Sequence, residues 1–314
     1  MFSKYKYVYT VYKEQSFTKA AQKLFISQPS LSVAIKNTEK KIGAPVFERT
    51  GVGISLTEVG KSYIEACENM LRSEKEFERR LYDIYNLNSG HISVGGSNYL
   101  SSYVLPKVIN DFCKLYPNIE VTLTEAHSIA MAQMIKDDVI DIMVDSFDRV
   151  DDAYELYPLV KERTFLCVPW DNPINQKLAK YIIPAMDICE NKLDYSQAPT
   201  VPMQMFKDEK FIILKSGNDM HRRAMDIFAE SHIMPDVALF VDQLNISYAV
   251  SQSGMGLCFV TDTILRYMKA YDEVALYNID TKHAERTLYM GYKKGRYVTN
   301  AMKEFINIAK NTVK

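Results

Sequence analysis

The sequence predicts a mixed fold: an all-α, winged helix-turn-helix head, a long linker helix, and an α/β body of two lobes. Three observations carry this reading. Apolar residues repeat at helical spacing in three consecutive short segments near the N-terminus, with tight turns between them. About thirty residues then pass without a Pro, and without a Gly after Gly60. From residue 91 onward, strand-like and helix-like segments alternate.

The head spans residues 1–60. Tyr5, Val8, Tyr9, Val11 and Tyr12 mark a first amphipathic helix. Ser16 caps a second, Phe17 to Leu24, whose Ala20-Ala21 pair lets another helix cross closely. Phe25-Ile26 makes the turn, with Ile26 plugging the corner. A third helix opens at Ser27-Gln28-Pro29, where Pro29 suits the first turn because its missing N–H goes unused there. Leu31, Ile35 and Ile42 point inward. Gln28, Ser30, Ser32, Val33 and Lys36 are left outside, and short polar side chains plus a cation are what base edges and phosphates require. Val46 and Phe47 anchor a wing; Gly51 and Gly53 turn it, and Ile54 and Leu56 alternate as a strand does. Arg49 and Thr50 lie at its base, within reach of a phosphate or the minor groove.

Charge agrees with that reading. Residues 1–61 hold nine Lys and one Arg against four Glu and no Asp, a surplus of +6 in a chain whose net charge is −1. A basic head on an acidic body points the head at a polyanion. The N-terminus has no apolar export segment and no apolar run approaches the roughly 20 residues of a membrane span, so a cytoplasmic protein is expected. The five cysteines form no Cys-x-x-Cys and no Cys/His cluster, so neither a metal site nor a disulfide framework is expected.

Residues 61–90 form the linker. Tyr63, Ala66, Met70, Phe77, Leu81 and Ile84 build one apolar seam on an otherwise charged helix, which calls for a partner helix. Asn86 to Gly90 reads as a hinge. The body, 91–314, runs strand Ile92–Val94, helix Tyr103–Tyr116, strand Ile119–Thr124, helix Ile129–Lys136 and strand Val139–Val144. Further strands follow near Thr164–Val168, Phe211–Leu214, Val237–Val241 and Leu257–Val260. Two such α/β lobes imply a cleft, and ligands of open α/β sheets bind beyond the carboxyl ends of strands, at helix N-termini. Those ends carry Ser97, Asn98, Tyr99, Ser101 and Ser102, then His127 and Ser128, then Ser216, Gly217 and Asn218. Their helix N–H groups favour an anionic small molecule. The stretch 177–201 reads as a surface excursion or as a flap over the second lobe, the first being preferred.

The motifs resemble the LysR-type transcriptional regulators. In the head they are Ser16-Phe17-Thr18-x-Ala20-Ala21-x-x-Leu24-x-x-Ser27-Gln28-Pro29-Ser30-Leu31-Ser32-x-x-Ile35-x-x-x-Glu39, then Gly43-x-x-Val46-Phe47-x-Arg49, then Leu56-Thr57-x-x-Gly60. Thr38 departs from the family's usual Leu and is expected to loosen packing there. In the body they are Phe112-x-x-x-x-Pro117, Asp141-Ile-Met-Val144 and Gly254-x-Gly256-x-x-Phe259. The resemblance implies an effector-binding domain of the periplasmic-binding-protein type II-like fold. Its first lobe would be 91–161 plus 268–314 and its second 162–267, with chain crossings near Val160–Arg163 and Leu265–Met268. It also implies a homodimer or homotetramer on double-stranded promoter DNA, with RNA polymerase as a further contact.

Three alternatives carry a discriminating feature. A redox trigger, as in the family's peroxide-sensing members, needs paired cysteines in the second lobe, where Cys167, Cys189 and Cys258 have no close neighbour in sequence. An enzyme needs a motif such as Gly-x-Ser-x-Gly or His-Glu-x-x-His, and none occurs. A solute-binding protein of transport is disfavoured by the DNA head and the lack of an export signal. No cofactor is expected.

Overall fold

Valines at positions 8 and 11 fall one helical turn apart and close the head's core with Ala20, Ala21, Leu31, Ile35 and Val46, all buried in the computed structural model of the chain. The structure describes residues 4–50, 53–84, 90–146, 152–195, 197–268 and 274–313. It divides into two units, Met1–Leu81 and Tyr82–Lys314.

In the first unit, helix α1 is Tyr5–Glu14, α2 is Phe17–Lys23 and α3 is Gln28–Ile42. Ser16 and Ser27 cap α2 and α3, their Oγ atoms accepting from the N–H of Lys19 and of Ser30. Phe25, in the turn, takes a left-handed φ of 54°, while Ile26 packs into the corner as expected. Gly43, with φ of +87°, ends α3. Glu39 then accepts from the N–H of Val46 at 2.8 Å, tying the helix to the wing. The wing pairs β1, Phe47–Thr50, antiparallel with β2, Gly53–Leu56. Its turn residues and the side chains of Arg49 and Thr50 lie outside the described residues. Thr38 is buried and donates to the carbonyl of Ala34 at 3.0 Å, so the hydroxyl is satisfied where the family has an apolar side chain.

Helix α4 runs Glu58–Ile84 as one element. The seam divides along its length. Tyr63 is buried with Ile64 and Cys67 in the head core, which corrects its assignment to a partner surface: its ring is already covered. Phe77 and Leu81, further along, are exposed. The side chain of Ile84 and residues 85–89, where the hinge is expected, are outside the described residues.

The second unit opens with β3, Gly90–Gly96, a turn of π-helix at Leu100–Val104, and α5, Leu105–Leu115. Strand β4, Ile119–Glu125, helix α6, Ser128–Lys136, and strand β5, Ile142–Asp145, follow. Both β4 and β5 pair parallel with β3, which therefore sits between them. Strand β6, Tyr154–Pro169, is one continuous element of 16 residues, of which the sequence marked only the end. Next come α7 (Ile174–Lys177), β7 (Ile182–Ile183), α8 (Ala185–Cys189), β8 (Thr200–Val201), β9 (Lys210–Leu214) and α9 (Asp219–Glu230). Then come β10 (Asp236–Val241), α10 (Leu244–Gln252), β11 (Leu257–Thr261) and α11 (Asp262–Met268). The chain closes with β12 (Val274–Ile279), β13 (Glu285–Lys293) and α12 (Asn300–Thr312).

Strand β6 belongs to both lobes. Its first half, Tyr154–Arg163, pairs with β13, which continues to β5 and β3. Its second half pairs with β11 on one side and β12 on the other. In the second lobe β9 lies between β10 and β11, parallel to both. The second chain crossing therefore falls between Ile279 and Glu285, not at Leu265–Met268, because β12 hydrogen-bonds to the second-lobe half of β6. The 177–201 stretch is not a surface excursion. Strands β7 and β8 extend the second-lobe sheet beside β12, and Ile183, Ile188 and Val201 are buried. Among the described residues no helix is long and apolar enough to cross a membrane.

Gly60 tests how the wing is seated. A Cβ there would stand 2.1 Å from the carbonyl oxygen of Val46, a backbone atom that cannot rotate away. Gly60→Ala is expected to destabilise the head by about 1–3 kcal/mol despite the better helix propensity of Ala. Thermal unfolding of the full chain checks it.

Candidate functional site

Two regions collect the residues singled out in the sequence. The first is the outer face of α3. Gln28, Pro29, Ser30, Val33 and Lys36 are exposed there and Ser32 is half-buried, while Leu31, Ala34 and Ile35 face the core. Gln28 Nε2 donates to Ser32 Oγ at 2.8 Å, and the hydroxyls of Ser27 and Ser30 lie 2.7 Å apart. These pairs pre-set short polar groups along one face at low entropic cost. Val33 leaves an apolar side chain 58% exposed among them, suited to a thymine methyl.

The second region is a cavity of about 270 Å³ in the body. Apart from Arg286, near the start of β13, every wall segment lies at or just beyond the carboxyl end of a strand. Ser97, Asn98 and Tyr99 follow β3; Glu125 to Ser128 follow β4; Asp145 ends β5. Leu214 to Ser216 follow β9 and lead to Asn218 and Asp219 at the start of α9; Asp242, Gln243 and Leu244 follow β10. In each lobe the central strand, β3 or β9, is where the chain turns from one side to the other, which is where a crevice opens. His127 caps α6 and Asn218 caps α9.

Of the residues expected at a ligand site, Ser97, Asn98, Tyr99, His127, Ser128, Ser216 and Asn218 line this cavity. Gly217, with φ of +94°, is not in the wall, and a Cβ there would touch the His127 ring at 3.7 Å. Ser101 instead donates to the carbonyl of Gly96 at 3.1 Å, and neither it nor Ser102 reaches the wall. Sequence reasoning missed Asp145, Asp219, Glu162 and Arg286. The first two were within reach of the strand-end rule. The last two sit inside strands, where the tertiary pairing alone reveals them.

Arg286 forms the cavity floor. Its Nε donates to Glu162 Oε2 at 2.7 Å, its Nη1 to Asp219 Oδ2 at 2.6 Å and its Nη2 to the Tyr99 hydroxyl at 2.7 Å. Tyr99 in turn donates to Glu162 at 3.0 Å. Glu162 lies on the shared strand β6, Asp219 on the second lobe and Tyr99 on the first, so one guanidinium holds both lobes. Asp219 also receives Arg222 and Arg223. Burial alone would raise the Asp219 carboxyl, but Arg286 and Arg223 override it and hold it well below the usual carboxylate range. Asp145 goes the other way: burial raises it, against hydrogen bonds from Ser128 and the Ser146 N–H.

Both helix N-termini thus already face a carboxylate of the protein, Asp145 at Ser128 and Asp219 in the first turn of α9. That weakens the electrostatic case for an anionic ligand.

The second lobe also brings together two cysteines that are remote in sequence. Cys167 on β6 and Cys258 on β11 are register partners, both fully buried. Burial, and then the contact with Cys258, pushes the Cys167 thiol well above its ordinary value, which disfavours the reactive thiolate. Cys189 donates to the carbonyl of Leu265 instead.

Comparison with known proteins places the chain. Residues 2–61 match the bacterial regulatory helix-turn-helix protein, lysR family, and residues 86–314 match the LysR substrate binding domain. The chain belongs to the LysR family: it is a DNA-binding transcriptional regulator with an effector-binding domain, not an enzyme. Among its relatives is the uncharacterized HTH-type transcriptional regulator YcgK of Bacillus subtilis (strain 168), 29% identical, covering 98% of this chain and 94% of the relative. Full-length CbnR, solved in complex with its target DNA, aligns at a TM-score of 0.64 with 16% identity, covering 99% of each chain. The effector binding domain of QuiR, solved with shikimate, aligns at 0.57 with 18% identity, covering 72% of this chain and 97% of that domain.

Arg286→Met keeps the side chain's bulk and removes its charge. Glu162, fully buried, then loses its guanidinium. The expected loss is about 3–5 kcal/mol of body stability, read by thermal unfolding of the full chain.

Proposed function

We propose that this regulator reads a dyad in promoter DNA with paired α3 helices and that a small molecule in the body's cleft controls its occupancy there. The observation that carries the reading is the convergence of strand ends from both lobes on one cavity, over a floor that Arg286 shares between them. A molecule bridging the walls changes the balance between lobe arrangements by its differential affinity for them, and so alters the spacing of the DNA-binding heads.

On DNA, Gln28, Ser30, Ser32 and Val33 contact base edges, and Ser27, Pro29, Lys36, Arg49 and Thr50 set the helix and wing against the backbone. Two heads on successive major grooves imply half-sites about one helical turn apart or a multiple of it. In the cleft, Ser97, Asn98, Tyr99, His127, Ser128, Ser216 and Asn218 meet the ligand, with Ser101, Ser102 and Gly217 supporting the loops. An anionic ligand keeps the support of the α6 N-terminus capped by His127, though the acidic lining is set against it. The self-association face is the part of α4 beyond the head core: Met70, Phe77 and Leu81, with Ala66 at its margin and Ile84 at its end. A dimer is the minimum, and a tetramer follows if the bodies also associate. A redox trigger gains the Cys167–Cys258 adjacency but loses accessibility.

Two experiments test this. In footprinting and titration on the promoter of its own gene, Lys36→Ala is expected to weaken binding to all sequences and lower the salt slope by about one. Gln28→Ala is expected to cost about 1–3 kcal/mol at one base pair and relax the preference there. Equal loss on specific and random DNA for Gln28→Ala would remove it from base reading. Separately, Phe77→Glu is expected to shift the sedimentation profile toward monomer; an unchanged profile would move the interface elsewhere.

A further inference from the structure

Among the described residues the charges around the cavity do not cancel, and the remainder points to a ligand chemistry. Three cations and three carboxylates neutralise one another at the floor: Arg286, Arg222 and Arg223 with Glu162, Asp219 and Asp226. At the rim Lys215 pairs with Asp242 at 2.8 Å. Two lining carboxylates remain. Asp145, only 8% exposed, is held by the Ser128 hydroxyl and the Ser146 N–H; Arg286 acts on it only at a distance, and among the described residues it forms no ion pair. Glu125 has only the amide of Gln243, at 3.3 Å.

A second observation is independent of charge. Asn98 Oδ1 and Ser97 Oγ are covered from solvent and have no hydrogen-bond partner. Both line the same first-lobe wall as Asp145. A buried acceptor left without a donor costs free energy, as does a buried carboxylate without a direct ion pair. The wall therefore has acceptors to fill, and an ammonium group offers three N–H donors and a positive charge at one point. A bare metal ion does not fit the observations. The cavity is far larger than one ion, and among the described residues no group of His, Cys, Asp or Glu is arranged to hold a metal.

We infer that the effector carries a protonated amine, as an amino acid or a diamine does, and that Asp145 and Asn98 hold it, with Glu125 adding to the field. The inference rests on the cleft being the effector site, as proposed above. Glu125 and Asp145 end strands on either side of β3, about 10 Å apart, so one ammonium reaches Asp145 while Glu125 acts at longer range.

The test uses the full chain in calorimetry and thermal shift with two matched series. One is the protein amino acids with putrescine and cadaverine; the other is the deaminated acids of the same carbon skeletons. Binding is expected in the first series and not in its deaminated counterparts. Asp145→Asn is expected to weaken the bound compound about tenfold or more. The same change leaves the melting temperature of the unliganded protein equal or higher, since Asn keeps an Oδ1 acceptor for the Ser146 N–H and removes a buried charge. A purely structural role would lower it. Glu125→Gln, on an exposed side chain, is expected to weaken binding about twofold to fivefold without affecting folding. Binding by the deaminated acids alone, undiminished in Asp145→Asn, overturns the inference and leaves the cleft as effector site. No binding in either series overturns the inference too. The cleft reading falls separately, if a low-mass cell extract changes neither melting temperature nor promoter occupancy.

Discussion

The guanidinium of Arg286 is where the body is held together. It leaves β13, meets Glu162 across the sheet, and extends to Asp219 of the second lobe and Tyr99 of the first. A charge this deeply buried persists only because every neighbour that could strand it is instead its partner. The same contacts make it sensitive to lobe geometry. A change in the distance between β13 and α9 stretches Arg286–Asp219 first, while Arg286–Glu162, between adjacent strands, stays intact.

That arrangement suits a switch. Strand β6 runs through both lobes as one continuous element whose two halves meet at Arg163, and the return between β12 and β13 is the second connection between them. Arg163 is itself secured there. Its N–H donates to Asp262 at 3.0 Å and its Nε to Asn278 at 2.8 Å, both second-lobe residues, while its guanidinium pairs with Glu285 at the start of β13. A cavity bounded by both lobes and floored by their shared ion network is sensitive to any change in lobe geometry. In the proposed reading, ligand binding and lobe geometry are two views of one equilibrium.

The cleft's electrostatics follow from where carboxylates were placed rather than from net charge. Helix N-termini attract anions, and here Asp145 and Asp219 already stand at two of them. What is left for a ligand to satisfy is the acceptor-rich wall of Asn98, Ser97 and Asp145. A helix-dipole argument taken alone points to the opposite sign.

Much of the head was legible in sequence because its constraints are local. Ser16 and Ser27 cap helices they adjoin, Pro29 sits in a first turn, and Ala20-Ala21 permits a crossing only a few residues away. The strand-end rule likewise located Ser97, Asn98, His127, Ser128 and Ser216, since a strand's end and the next helix's start are neighbours in the chain. Tyr63 was misjudged because periodicity marks an apolar face without saying what covers it; the head core covers Tyr63 and leaves Phe77 exposed. The 177–201 stretch looked peripheral because two-residue strands such as β7 and β8 have no periodicity to read. By itself the sequence determined the class of the protein, the exposed face of α3 and the loops that end at the cleft. Only the tertiary structure decided which charges meet. Glu162 with Arg286, and Cys167 with Cys258, are separated by 124 and 91 positions, and strand pairing across such distances is set by the whole sheet rather than by any local pattern.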